Sequence, residues 1–357
     1  MRLAIFLNSV NYFRGICILF IVAGHCVSPS GWHIDSFFEK VFINLVYGGS
    51  ALFVFISGFL FHHVFYNNFD YLTFVTKKVK NVLIPYLILS SAPIIYFVIY
   101  KGTASGRYSD YIFLQKEGVY YEYARPIIMY LWSGCTLTAY WYIPFIMIVF
   151  LLSPFFIAYI HLKPATRLFV LCIMIVIASL IHRPVDNLYP LQSVVYFTPL
   201  YAYGILASIH KDAIYDYLKG KEIYLLILIV LCASLQVILY DHFGNFHKSP
   251  FAISYPDIII FQKMIMCLFF MVFLHKFEDK NFAVLKPLAS ASFAIYFLHP
   301  FVISAVYLVI SNLKESQQET AGILWLMIFP VVVILCIVIA KIIKAIFRSY
   351  SRQVIGW

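Results

Sequence analysis

The stretch Tyr12-Phe13-Arg14-Gly15-Ile16-Cys17-Ile18-Leu19-Phe20-Ile21-Val22-Ala23-Gly24-His25 decides how this chain is read. Between Arg14 and His25 every side chain is apolar or small, as in a membrane helix. A helix turns about 100° and rises about 1.5 Å per residue, so the step from 14 to 25 leaves both on one face, about 16 Å apart. Ionisable groups inside a membrane helix are expensive and persist by facing the bundle interior or a wet cavity. The pair therefore predicts a polar site running inward from one membrane surface. The plainer alternative is a snorkelling Arg14 and a hydrogen-bonded core His25.

Working outward, the composition supports a membrane setting. The chain has 357 residues, 63% hydrophobic and 12% charged, and a mean hydropathy of +0.88. Soluble domains carry about 25% charged residues, so this much apolar surface needs a bilayer rather than a core. One polytopic all-α helix bundle is expected, not several soluble domains. About ten spans are predicted, approximately at 11–29, 41–66, 82–100, 138–160, 168–182, 193–210, 223–240, 258–275, 288–311 and 322–346. Residues 127–137 form a candidate partial or re-entrant element. The first span reads as part of the mature protein rather than as a cleaved signal, because it carries Arg14 and His25 and further spans follow. The membrane domain is expected over 1–346 and an interfacial tail over 347–357.

The net charge of +10 does not point to nucleic acid. The basic residues fall between apolar runs, where the positive-inside rule places them. About 16 of the 26 Lys and Arg fall in one alternating set of connections, which includes Lys77, Lys78 and Lys80 and the basic C-terminal tail. About eight, including Lys40, Arg183 and Lys248, fall in the other. The bias predicts cytoplasmic termini, with Arg14 near the cytoplasmic surface and His25 deeper, toward the outer leaflet. Lys341, Lys344, Arg348 and Arg352 share one face if the last helix continues, which predicts a surface helix on anionic lipid. The seven cysteines lie in or beside apolar runs without CxxC spacing, which argues against disulfide or metal roles.

Several blocks could carry chemistry. A neutral imidazole at His25 can take a proton from a hydroxyl, and the Arg14 guanidinium suits a phosphate-bearing ligand. Ser50 and Ser57 share a face of the second span. The Ser57-Gly58 pair marks either close helix packing or a site lining. The Lys77–Lys80 run is a topology signal that could also attract phosphates. Trp141 lies in the aromatic block Tyr140-Trp141-Tyr142, ahead of Pro144 and its expected kink. Ser292, Tyr296 and His299 share one face of the ninth span. No nucleophile elbow, zinc-protease, P-loop or dinucleotide motif is present, and no paired carboxylates occur at a plausible site. No metal site is expected.

These blocks, in this order, resemble the membrane acyltransferase-3 family: Arg14-Gly15 with His25, Phe55-Ile56-Ser57-Gly58-Phe59, the basic run before Pro85-Tyr86, Tyr140-Trp141-Tyr142, Ile295-Tyr296-Phe297-Leu298-His299, and the tail Tyr350–Gly356. The resemblance spans nearly the whole chain and is closest to the stand-alone branch without a soluble esterase domain. It implies an integral O-acyltransferase of the bacterial inner membrane. Such a protein moves an acyl group, usually acetyl, from acetyl-CoA or another acyl-coenzyme A to a hydroxyl of a surface glycan or lipid-linked sugar. It further implies that His25 is the essential histidine and Arg14 its paired arginine. The family often carries two arginines three apart after the second span. Here lysines stand instead, with Lys77 and Lys80 in one register and Lys78 and Asn81 in the other.

The expected site is therefore His25 as base, with Arg14, Lys77, Lys78 and Lys80 at the donor phosphates, and Ser57, Trp141, Tyr296 and His299 as its lining. Two other functions share the bundle architecture. A glycan or lipid-linked sugar flippase would use Arg14 and His25 for binding or proton coupling, and a membrane glycan polymerase also has about ten spans and long outer loops.

Overall fold

The computed structural model describes residues 7–102, 108–113, 116–311 and 321–357. Arg2, Arg107 and Lys314 of the charge count lie outside the described residues. The long first helix, α1 (Asn8–Ser30), stops at Gly31 in a left-handed conformation. Ser36 and Glu39 form a capping box that starts α2 (Phe37–Val46). Gly48, at φ 85°, breaks the chain before α3 (Gly49–Leu60). The next span is α4 (Tyr71–Lys78), a π turn and α5 (Ile84–Ile95).

A short α6 (Ser109–Ile112) and α7 (Arg125–Ser133) follow. The partial element expected at 127–137 is thus a short helix ended by Gly134. Then come α8 (Tyr142–Leu151), α9 (Ser153–His161), α10 (Pro164–Ile181), α11 (Pro190–Ile209) and α12 (Lys211–Leu218). The chain finishes with α13 (Glu222–Tyr240), α14 (Ile258–His275), α15 (Leu285–Ser311), α16 (Ala321–Phe347) and α17 (Ser351–Ile355). Strand pairing among the described residues is confined to Arg183–Pro184 beside His247–Lys248.

Among the described residues, eight helical stretches are long and apolar enough to cross a membrane, and the bent α8–α9 pair makes nine. The remaining predicted position is filled by α11, 20 residues long but more polar. It needs less lipophilicity because much of it is buried against neighbouring helices rather than lipid. The chain is a multi-pass all-α bundle, as expected. The kink expected at Pro144 is absent there, because Pro144 sits in the first turn of α8, where a missing N–H is harmless. The 54° bend lies instead at Leu152, just ahead of Pro154.

At the centre, α1 packs against α3, α14, α15 and α16, and α3 crosses α11 closely. A Cβ on Gly58 would lie 1.9 Å from the Tyr201 carbonyl oxygen, and one on Gly204 2.0 Å from that of Phe55. The Ser57-Gly58 pair therefore does mark a backbone-to-backbone contact. The perimeter is formed by α10 and α13, whose apolar windows are only 22% and 28% buried. Lys263 is 1% exposed. Its ammonium donates to the carbonyls of Asn44 at 2.8 Å and Leu45 at 3.4 Å, capping the end of α2 at the Gly48 break.

Candidate active site: two cavities at the two ends of α1

The first turns of α1 and α15 meet Lys78 and the C-terminal helix around an inner cavity of about 380 Å³. Three cations line it: Arg14, Lys78 and Arg352. Arg14 Nη2 donates to the Ala289 carbonyl and to Ser292 Oγ, each at 3.0 Å. Lys78 lies over the rings of Phe65, Phe74 and Phe150, 4.4–5.0 Å from their centroids. Among the described residues no carboxylate lines the cavity, so its three positive groups share it without a counter-ion from them. Ser57 also faces this space, its hydroxyl donating to the Phe53 carbonyl at 2.9 Å.

Arg352 arrives by a route the sequence reading missed. A continuous surface helix through Lys341, Lys344, Arg348 and Arg352 was expected. Instead, Arg348 adopts φ 47° and turns the chain, and α17 folds back under the bundle. Ile355 is fully buried, and Gly356 and Trp357 line the cavity beside Arg352. Gly356, at φ 79°, closes the turn where a Cβ would press on Phe293 at 3.1 Å. The run after the second span is divided by its helical phase. Lys78 turns inward, whereas Lys77 and Lys80 are exposed and line neither cavity, contrary to expectation.

The other end of α1 opens on an outer cavity of about 490 Å³. His25 lines it with Thr138, Trp141, Arg183, His242 and Asn245. Thr138 Oγ1 lies 3.5 Å from His25 Nδ1. Arg183, counted from sequence only as an outer-loop charge, is 9% exposed, and its guanidinium sits 4.7 Å from the Trp141 ring centroid. It donates to Asn245 Oδ1 at 3.0 Å and Asn187 Oδ1 at 2.8 Å. Burial pushes its pKa down to about 10, opposed by Tyr196 and Asp257, so it stays cationic at neutral pH. Asp257 is buried and held by the Tyr196 hydroxyl at 2.8 Å. Burial raises its pKa, and the Tyr196 hydrogen bond opposes that rise.

Trp141 thus lines the site, but Tyr296 and His299, expected to do so, line neither cavity. Tyr296 is a clasp: its hydroxyl donates to the Ala139 carbonyl while the Tyr140 hydroxyl donates to the Phe297 carbonyl at 2.9 Å. The two bonds fix the turn that carries Thr138 and Trp141. His299 is fully buried behind His25, its Nδ1 donating to the Ile295 carbonyl at 3.1 Å. Its Nε2 has no hydrogen-bond partner.

The uninterrupted polar shaft expected from Arg14 to His25 is divided in two. The cavities share no lining residue, yet Ser50 of the outer and Phe53 of the inner are neighbours one turn apart on α3. Tyr142, which lines neither cavity, is the chain neighbour of Trp141 of the outer cavity. It lies beside Ser57 and Cys17 and 5.7 Å from the Tyr296 ring.

Fold and site together define an integral membrane helix bundle with a polar cavity at each end. Within that class, the acyltransferase domain of the acyltransferase-3 family matches residues 7–342, and the chain belongs to this family. It is a multi-pass membrane acyltransferase. No curated protein and no solved structure matches it.

Proposed function

We propose that the protein carries an acetyl or other short acyl group from acyl-coenzyme A to a hydroxyl of a surface glycan or lipid-linked sugar in the bacterial inner membrane. The observation that carries this reading is the inner cavity with Arg14, Lys78 and Arg352 and no carboxylate among the described residues that line it. Arg14 and Lys78 are half-buried and Arg352 is exposed at the cavity's edge; cations gathered in this way suit a polyanion, and guanidinium groups fork onto phosphate oxygens. Phosphates held there leave the thioester arm directed along α1 toward His25. The charge bias puts this end in the cytoplasm, where the donor is made, and the His25 cavity on the outer side.

In the outer cavity the acceptor hydroxyl gives its proton to the free lone pair of His25 as its oxygen attacks the thioester carbonyl. The carbon–sulfur bond then breaks, the thiolate takes the proton back from His25, and the acyl ester remains on the acceptor. Tyr142 must yield for the thioester to reach His25. That confines the reactive group to the moment when both cavities are filled, and keeps water from the thioester otherwise.

The test is coenzyme A release by purified protein with labelled acetyl-coenzyme A and total surface glycan as acceptor. Labelled ester forms on the glycan with the wild type. His25→Ala abolishes its formation while the protein keeps its thermal unfolding midpoint. Full activity in that variant removes the proposed base. In liposomes, glycan that crosses the bilayer unmodified would instead mark a flippase, and glycan lengthened without coenzyme A release a polymerase.

A further inference from the structure

We infer that the outer cavity is built for an acceptor bearing an anionic group, and that Arg183 is the residue that selects it. The inference rests on the reading that the acceptor binds beside His25. Among the described residues, Arg183 is the one guanidinium lining that cavity, and no carboxylate shares the lining with it. None of the described carboxylates lies within ion-pair distance of it. Asp257 acts on it only at a remove: Tyr196 holds Asp257, Asn245 Nδ2 donates to the Tyr196 hydroxyl at 2.9 Å, and Asn245 Oδ1 receives Arg183.

Two asparagine oxygens and the Trp141 face hold the guanidinium in one orientation. They leave its charge uncompensated and part of its five-donor set unused, with Nε lacking any partner. A buried charge is costly unless paired, so a cation fixed this rigidly beside a polar cavity is complete only with an anion in place. The remaining lining reinforces the choice. His242 adds an imidazole to the lining, and Trp141 and Phe243 add aromatic rings suited to a sugar ring. A cavity of about 490 Å³ falls in the range of small-ligand sites. The ligand class that fits is a sugar carrying a carboxylate or a phosphate, with a free hydroxyl turned toward His25.

The experiment reads binding, not turnover, so it stands apart from the acyl-transfer proposal. Full-length protein in detergent, without acyl-coenzyme A, is titrated by saturation-transfer NMR with methyl glucuronide, glucose 1-phosphate and methyl glucoside. The expected result is that one or both charged sugars bind about tenfold or more tighter than the neutral one, as a charge-assisted contact implies. The carboxylate and phosphate arms then name the anion. Arg183→Gln should erase the preference and Arg183→Lys should keep part of it. Equal binding of charged and neutral sugars by the wild type overturns the inference without any mutant, as does a preference that survives intact in folded Arg183→Gln. If the preference holds but no acyl ester ever forms, the acyl-transfer reading fails and the anion site stands.

Discussion

The imidazole rings of His25 and His299 lie 5.4 Å apart between centroids, their planes inclined by 31°. His25 faces the outer cavity, while His299 is sealed behind it. Because the Ile295 carbonyl accepts a hydrogen bond from Nδ1–H of His299, Nε2 is left with its lone pair and no partner among the described residues. If His25 is the base, this packing predicts that His299 positions it rather than touching substrate. His299→Gln should lower kcat ten- to a hundredfold with little change in KM for the donor, less than the loss of about a hundredfold or more expected for removing a general base. It should also move the midpoint of the pH–rate profile. A purely structural role would lower the amount of folded protein and leave that midpoint in place.

The shared burden of Arg14, Lys78 and Arg352 makes a second prediction. Like charges in one cavity repel, and each opposes the charged state of the next. Arg352→Gln should raise the unfolding temperature of the ligand-free protein while weakening acyl-coenzyme A binding about tenfold or more. Thermal shift with and without coenzyme A reads both at once. A variant that loses stability and keeps the coenzyme A shift would place Arg352 outside the donor site. Lys77→Gln and Lys80→Gln, at exposed positions, should leave donor KM nearly unchanged.

Tyr142 gives a third. If it separates the two cavities, Tyr142→Ala opens a way for water to reach the thioester from the outer side. The expected outcome is acyl-coenzyme A hydrolysis without acceptor, absent in the wild type and in Tyr142→Phe. An unchanged coupling of hydrolysis to acceptor in Tyr142→Ala would show that the barrier lies elsewhere.

The crossing of α3 and α11 gives a fourth. Gly58→Ala sets a methyl group against the Tyr201 carbonyl and forces the helices apart, an overpacking that costs about 1–3 kcal/mol or more. The yield of folded protein and its unfolding temperature should both fall. Ser57→Ala, one residue away and facing the cavity, should leave the unfolding temperature close to wild type.

These residues show what could be read from the chain and what could not. Helical class follows from periodicity and length, which act locally, and it holds in the structure; about ten spans were expected, and eight or nine of the described helical stretches are long and apolar enough to cross a membrane. The direction of Lys78 against Lys77 and Lys80 follows from helical phase. Sequence alone left two registers open, because exposed and inward faces of that run are almost equally basic. Arg352 was placed on the membrane surface because its spacing suits a continuing helix. The positive φ at Arg348 that redirects it is unusual for a non-glycine residue and leaves no mark in the pattern. Arg183 was read as a topology charge for want of any local signal. Its role depends on Trp141, Asn187 and Asn245, two of which are remote in sequence. Tyr296 and His299 were correctly placed on one face. That face turns to the Ala139 turn and to the back of His25, and only tertiary packing decides this.

In the proposed reaction, donor and acceptor meet from opposite ends of α1, with Arg14 at one and His25 at the other. Proteoliposomes of defined orientation, with acetyl-coenzyme A sealed on one side and acceptor on the other, test it most directly. Ester should form only when the donor is on the side of Arg14, Lys78 and Arg352 and the acceptor is on the side of His25 and Arg183. Equal ester formation with both substrates confined to a single side would contradict it.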